Sequence, residues 1–298
     1  MNRIITSLLL GLLSTTVQAK LNILACEPEW ASLSQELGGD KISVHSATTG
    51  LQDPHYIQAR PSLIAKARRA DLLVCTGAEL ESGWLPLLQR KSGNQKIQQN
   101  AAGSFMATDF VKLSGIPTTL DRSQGDVHAA GNPHIQTSPI LLLSVAKALS
   151  SRLQHIDSDN QVYYQQRWQD FEQRWQKAII DWQQQALPLK ELPIVIQHNS
   201  WDYLIGWLSL DKIAVLESKP GVPPSVNDLN NILKQLEVTP AKIVINAAYQ
   251  SPRASDWLVE KTAINKVTLP FTVGGNADAK DLFSLFDNTI QLLLDASK

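Results

Sequence analysis

One long segment without helix-breaking residues constrains the fold of this chain more than any other feature. Residues 158–186 contain neither Gly nor Pro, the two residues that disfavour a helix interior most strongly. Large side chains recur in it every three or four residues and so share one helix face: Tyr164, Trp168, Phe171, Trp175, Ile179 and Trp182. About 29 helical residues span about 43 Å, which is long enough to run past two small domains. We interpret the aromatic face as core packing and the segment as a rigid connection.

Short apolar runs alternate with helical patterns on both sides of this segment. The runs lie at residues 21–25, 42–44 and 72–74 before it, and at residues 194–196, 213–216 and 243–245 after it. Helical patterns follow the later runs at about residues 225–236, 252–262 and 279–295. Strands that alternate with helices predict parallel sheets covered by helices.

The predicted fold class is therefore α/β, with two lobes that are each a mainly parallel sheet flanked by helices. The N-terminal lobe is expected at residues 20–157 and the C-terminal lobe at 188–298, joined by one long rigid helix at 158–187.

The first 19 residues have the pattern of a secretory signal peptide. Arg3 precedes an apolar run at residues 4–13, and the segment ends in the small-residue site Val17-Gln18-Ala19. The apolar run is shorter than the roughly 20 residues that span a bilayer. We therefore expect residues 1–19 to be removed and the mature protein to lie in the periplasm.

The two cysteines suit an exported protein. Cys26 and Cys75 each end a predicted strand, and they reach disulfide distance if these strands are neighbours in a parallel sheet. Two buried free thiols are the alternative.

The charge composition argues against two classes of function. The chain carries 27 basic and 28 acidic side chains, a formal net charge of −1, and no basic tract. A protein that works mainly on nucleic acid or on an acidic membrane surface needs a basic patch, so neither role is expected.

Four of the six histidines lie in loop settings that favour a binding site. His55 and His134 each follow a proline, which restricts the backbone and helps to hold the imidazole in place. His198 comes directly after a predicted strand, and His128 lies six residues before His134. In open α/β sheets the binding crevice lies beyond the carboxyl ends of the strands, so these histidines are expected to meet between the lobes.

Imidazoles gathered in this way suit a particular kind of metal ion. Three neutral imidazoles favour Zn²⁺, whereas Mn²⁺ and Ca²⁺ call for more carboxylate oxygen. The alternative is that His55, His134 and His198 are unrelated loop histidines.

Several short motifs occur in order along the chain. The first lobe carries LQDPH at 51–55, RPS at 60–62, ADLLVCTGAELE at 70–81 and NPH at 132–134. The second carries HNSWDYL at 198–204 and ESKPGVPPS at 217–225. Together they resemble the motifs of the zinc- and manganese-binding solute-binding proteins of bacterial ABC transporters, the cluster A-I family. The resemblance covers essentially the whole mature chain.

This resemblance implies a transport protein and not an enzyme. A member of the family captures Zn²⁺ or Mn²⁺ between two lobes and hands the ion to a permease in the inner membrane, and we expect a monomer. The first three ligand positions of the family fall on His55, His134 and His198. Zinc members tend to have His at the third position and manganese members Glu, so His198 indicates Zn²⁺ as the transported ion.

The fourth ligand departs from the family pattern. The family usually places an Asp in a loop near the C-terminus, but here that loop reads LPFTVGG at 269–275 and has no carboxylate. The loop before the second metal motif, residues 116–131, contains only His128. His128, a water molecule or Glu217 is therefore the candidate for the fourth position.

Two other functions remain open at the level of sequence. An exported zinc hydrolase would use a three-His site with a metal-bound water, although the chain has no H-E-x-x-H motif to supply a general base. A binding protein for an organic ligand, such as a metal chelate, would use aromatic residues of the cleft, for which Trp84, Trp201 and Trp207 are candidates.

Overall fold

The structure is a computed structural model that describes residues 19–118, 125, 127–219 and 221–298. Apart from Ala19, the predicted signal peptide lies outside the described residues. None of the helices in the described ranges is both long and apolar enough to cross a membrane.

The N-terminal lobe contains a four-stranded parallel sheet covered by helices. Its strands are β1 (Leu21–Ala25), β2 (Ile42–Ser46), β3 (Leu72–Cys75) and β4 (Ser104–Met106). Its helices are α1 (Pro28–Gly38), α2 (Pro61–Arg69), α3 (Leu85–Ser92) and α4 (Pro139–Ile156). The sheet order is β2-β1-β3-β4. All four residues of β3 are buried, as expected for a central strand covered on both faces.

One long helix, α5 (Gln161–Gln185), follows the N-terminal lobe. Five of the six predicted core positions on it are buried, and Ile179 is partly buried. The helix packs against α1 and α4 of the N-terminal lobe. Trp175 Nε1 donates a hydrogen bond to the carbonyl oxygen of Pro139 at 2.8 Å, which satisfies the polar atom of a buried indole.

The C-terminal lobe repeats the architecture of the first. Its strands are β5 (Pro193–Ile196), β6 (Asp211–Val215), β7 (Ile243–Ala247) and β8 (Asn265–Leu269). Its helices are α6 (Asp202–Leu208), α7 (Val226–Val238), α8 (Arg253–Lys261) and α9 (Leu282–Ala296). The strands are parallel in the order β6-β5-β7-β8, and α9 packs against α5. The long helix therefore contacts both lobes, and the predicted two-lobe α/β fold is confirmed.

The register of the first sheet brings the two cysteines together. Ala25 of β1 pairs with Val74 of β3, so the residues that follow them lie side by side. Cys26 and Cys75 form a disulfide with a Cα–Cα distance of 4.8 Å. The structure thus decides between the bridge and the free thiols that the sequence left open.

Candidate metal centre

The loop between β2 and α2 carries His55 and fixes its orientation. Asp53 Oδ1 accepts a hydrogen bond from His55 N at 3.0 Å and lies 2.7 Å from His55 Nδ1. The buried indole of Trp84 donates to the carbonyl oxygen of Pro54 at 2.8 Å. An imidazole whose Nδ1 donates to a carboxylate has a bare Nε2 in its neutral form, which is the form that coordinates metals.

The charge state of Asp53 supports this pairing. Burial alone would raise the pKa of the Asp53 carboxyl, but the hydrogen bond and charge of His55 outweigh it and hold the pKa below its usual value. The aspartate is therefore an anion near neutral pH. This role of Asp53 was not predicted, although a carboxylate two residues before a histidine is a visible signal in the sequence.

His128 and His134 bring two further imidazoles to His55. The Nε2 atoms of His55 and His128 are 3.3 Å apart, and one nitrogen from each of the three rings lies within 4.8 Å of the others. Four nitrogens placed tetrahedrally at about 2.0–2.1 Å from a zinc ion are about 3.3 Å from one another. The spacing of the first pair is thus that of two ligands on one tetrahedral ion.

His134 is the most enclosed member of this group. Burial, followed by the neighbouring imidazoles, lowers the pKa of His134 well below its usual value, so the ring is neutral at pH 7. Its Nδ1 is buried and has no hydrogen-bond partner within the described part of the chain. A neutral, buried imidazole next to two others is suited to hold a cation.

His198 approaches the same place from the C-terminal lobe. It follows β5, and its ring centroid lies 6.0 Å from that of His134. Its nitrogens are not part of the group formed by His55, His128 and His134, whose ligand nitrogens all lie within 4.8 Å of one another.

Glu217 orients His198 in the way that Asp53 orients His55. Glu217 Oε2 lies 2.8 Å from His198 Nδ1 and accepts a second hydrogen bond from Gly221 N at 3.0 Å. The same oxygen therefore has two partners already. Glu217 was a candidate for the fourth ligand, whereas its geometry is that of a group that orients a histidine.

Direct hydrogen bonds connect the two lobes beside these histidines. Asn132 Nδ2 donates to the carbonyl oxygen of Asn199 at 2.9 Å, and Tyr203 Oη donates to the carbonyl oxygen of Asn132 at 2.7 Å. The segments that carry His134 and His198 are thereby tied to each other.

The C-terminal loop without a carboxylate packs between the lobes. The ring centroid of Phe271 lies 5.4 Å from that of His134, and Thr272 Oγ1 donates a hydrogen bond to Glu29 Oε2 in the other lobe. A Cβ atom on Gly50 would lie 2.4 Å from the backbone of Gly274, so the backbones of the two lobes touch at this point. The ring of Phe271 is the part of this loop that lies beside the histidine group.

A cleft of about 610 Å³ opens beside the histidine group, with His55 and His198 in its wall. The tryptophans considered as cleft residues do not line it. Trp84 and Trp201 are each 1% exposed and belong to two separate apolar clusters, and Trp207 packs against the cluster that contains Trp201. The cleft is instead lined by the aromatic side chains of Tyr56, Tyr249 and Trp257, none of which was predicted from the sequence.

Known proteins resemble this chain in sequence and in fold. The family described as zinc-uptake complex component A, periplasmic (ZnuA) matches residues 23–296. The manganese ABC transporter substrate-binding lipoprotein PsaA of Streptococcus pneumoniae is 25% identical over 233 residues, covering 76% of this chain and 73% of that protein. The metal ABC transporter substrate-binding lipoprotein SloC of Streptococcus mutans is 23% identical over 237 residues, 76% of this chain and 74% of its own.

Solved structures share the fold. A crystal structure of ZnuA superposes with a TM-score of 0.75 at 20% identity, covering 94% of this chain and all of the other. A manganese-bound periplasmic metal-binding protein from Candidatus Liberibacter asiaticus does so with a TM-score of 0.75 at 15% identity, again over 94% of this chain and all of the other.

Proposed function

This chain belongs to the ZnuA family of metal-binding, substrate-binding components of ABC transporters, and on that premise we propose that it captures Zn²⁺ between its lobes and delivers it to a permease in the inner membrane. We propose further that residues 1–19 direct export to the periplasm, where the mature protein works as a monomer with lobes at 20–157 and 188–298.

The proposed ligands are His55, His128, His134 and His198. The observation that carries the proposal is the 3.3 Å spacing between the Nε2 atoms of His55 and His128, with His134 inside the same group. His198 completes the set from the other lobe, which makes closure of the lobes depend on the ion.

The choice of Zn²⁺ over Mn²⁺ rests on the type of donor. Four imidazoles suit Zn²⁺, whereas Mn²⁺ binds better where carboxylate oxygens contribute. The two nearby carboxylates, Asp53 and Glu217, each face the Nδ1 of a histidine. Metal analysis of the protein purified from its native periplasm tests this choice: zinc in a 1:1 ratio is expected, and manganese in its place would contradict it.

The capture step needs neutral imidazoles and no bond-making chemistry. Each ligand nitrogen must be unprotonated to coordinate, so affinity falls as the pH drops below the usual histidine pKa of about 6.5. Asp53 and Glu217 hold His55 and His198 with Nε2 bare. No observation on the described residues favours a zinc hydrolase, because these two carboxylates are engaged by histidines and are not placed as a general base for a metal-bound water.

Single alanine substitutions test the ligand set. We expect His55→Ala, His134→Ala and His198→Ala each to weaken Zn²⁺ binding by at least about 100-fold, since even an orienting group beyond the ligands contributes 10- to 100-fold. Competition titration against a zinc chromophore measures the affinity, and circular dichroism checks the fold. His45→Ala, at an exposed histidine of β2, is the matched control. Unchanged affinity in two of the three variants would defeat the assignment.

His128→Ala separates two forms of the site. If His128 is a ligand, the variant is expected to lose as much Zn²⁺ affinity as the other three variants do. Affinity close to that of the unsubstituted protein would instead assign the fourth position to water.

A further inference from the structure

The cleft beside the histidines is much larger than a metal ion requires. A zinc ion with four ligand nitrogens at about 2.0–2.1 Å needs no additional volume. The cleft measures about 610 Å³, which lies within the roughly 300–1,000 Å³ typical of sites for small organic molecules. His55 and His198 belong to its wall together with Asp53 and Glu217, so the cleft borders the candidate metal centre on the side of these two histidines.

The walls of the cleft have the composition of an organic ligand site. Tyr249 and Trp257 provide aromatic surface, and Leu229 and Pro223 add aliphatic surface. Such sites combine apolar walls with a few polar groups that fix the orientation of the ligand. A flat ring or a short aliphatic body fits walls of this kind.

Arg253 is the cationic group of this lining. It is exposed, and among the residues that the structure describes no carboxylate pairs with it. It is also the first residue of α8, and Gln250, Ser251 and Ala254 around the start of that helix line the cleft as well. A guanidinium beside a helix N-terminus favours a carboxylate, which it can bind with two parallel hydrogen bonds.

We propose that the cleft takes a small α-amino acid with a metal-binding side chain, bound together with the zinc ion. This rests on the proposed function, because the ion supplies one of the contacts. The carboxylate of the amino acid pairs with Arg253, its ring or aliphatic body lies against Tyr249 and Trp257, and a nitrogen coordinates the ion. This nitrogen would be a fifth ligand beside the four imidazoles, a coordination number to which zinc sites sometimes expand.

The probe is L-histidine, and L-histidinol is its matched control because it has the same imidazole and amine but lacks the carboxylate. Calorimetric titration of the zinc-loaded protein measures the affinity for each, and native mass spectrometry counts the molecules bound. One L-histidine per zinc-loaded protein is expected, with affinity about tenfold or more above that for L-histidinol, the size of one charge-assisted carboxylate contact. The metal-free protein should bind neither.

The variant Arg253→Gln tests the proposed contact. We expect it to reduce L-histidine affinity to the level of L-histidinol while its affinity for Zn²⁺ alone is unchanged. Lys261→Gln removes the same charge from the exposed far end of α8 and should behave as the unsubstituted protein.

The outcomes separate this inference from the proposed function. A protein that binds Zn²⁺ but takes no L-histidine, loses its zinc to L-histidine, or binds L-histidine and L-histidinol equally would overturn the inference and leave zinc capture standing. Unchanged L-histidine binding in Arg253→Gln would overturn it too. Failure to bind Zn²⁺ with or without L-histidine would defeat both.

Discussion

At the scale of single residues, the candidate site depends on carboxylates that act through histidines. Asp53 and Glu217 each lie within 2.8 Å of an imidazole Nδ1, one in each lobe. A carboxylate in this position sets the tautomer and the ring orientation and makes the imidazole a better donor to a metal. The orientation of His55 and of His198 within its own lobe is therefore set before the ion arrives.

Glu217→Ala tests this role on the side of the C-terminal lobe. It removes the partner of His198 Nδ1, and we expect Zn²⁺ affinity to fall by about 10- to 100-fold. Competition titration measures the affinity. Glu237→Ala, at an exposed glutamate near the end of α7, is the matched control. Affinity equal in both variants would show that His198 needs no orienting carboxylate.

At the scale of secondary-structure elements, α5 is the structural spine that both lobes share. The ring of Trp175 contacts Trp182 of the same helix at 5.1 Å between centroids, and Phe283 of α9 at 4.8 Å. The Nε1 atom of Trp175 also donates a hydrogen bond to the carbonyl oxygen of Pro139, the first residue of α4. Packing of this density between the helix and both lobes favours small tilts of the lobes over large rotations.

Trp175→Ala tests the contribution of this packing to stability. We expect the free energy of unfolding to fall by about 3–5 kcal/mol, the usual cost of truncating a buried aromatic side chain. Urea denaturation measures it. Ile180→Ala on the exposed side of the same helix should change the free energy by no more than about 0.5 kcal/mol. Similar losses in both variants would contradict a core role for the aromatic face.

Elements with a strong local pattern could be predicted from the sequence. β1 has the bounds expected, and α7 lies at Val226–Val238 against an expected 225–236. The edge strands β4 and β8 were not predicted because the first has three residues and the second alternates exposed polar residues with only two buried ones. Neither strand has the continuous apolar run that marks a central strand of a parallel sheet, whereas the other two edge strands, β2 and β6, contain the apolar runs by which they were predicted.

The site could be predicted from the sequence only at residues that stand out by their loop position or by a short motif around them. His55, His134 and His198 could be proposed from loop position and motif. The contact of Phe271 with His134 and the hydrogen bond from Thr272 to Glu29 could not, since they join segments far apart in the chain and leave no spacing pattern.

At the scale of the whole molecule, buried carboxyl groups lie close to the contact between the lobes. Glu27, Glu29 and Glu81 are all buried, and Thr272 of the C-terminal lobe donates to Glu29. Burial is the main cause that raises the pKa of Glu29 and of Glu81 to about 7, and it also raises that of Glu27. These groups make stability depend on pH.

The sign of that dependence follows from the raised pKa values. Between the ordinary value of 4.5 and about 7 the folded protein binds more protons at Glu81 than the unfolded chain does, so stability falls as pH rises through this range. His134, whose pKa is lowered, acts in the opposite direction. The difference in the free energy of unfolding between a variant that lacks one carboxyl group and the unsubstituted protein isolates the contribution of that group.

Glu81→Gln provides that difference in the metal-free protein. We expect its free energy of unfolding, relative to the unsubstituted protein, to rise as pH increases from 4.5 to about 7. Urea denaturation across this range measures it, with the exposed Glu237→Gln as control. A relative stability that is constant with pH would show that Glu81 ionises normally.

The most direct test of the central claim is a crystal structure of the zinc-loaded protein with anomalous data collected at the zinc edge. The account predicts one zinc peak between the lobes, with nitrogens of His55, His128, His134 and His198 about 2.0–2.1 Å from it. A zinc ion bound elsewhere, or imidazoles with no common point at that distance, would contradict it.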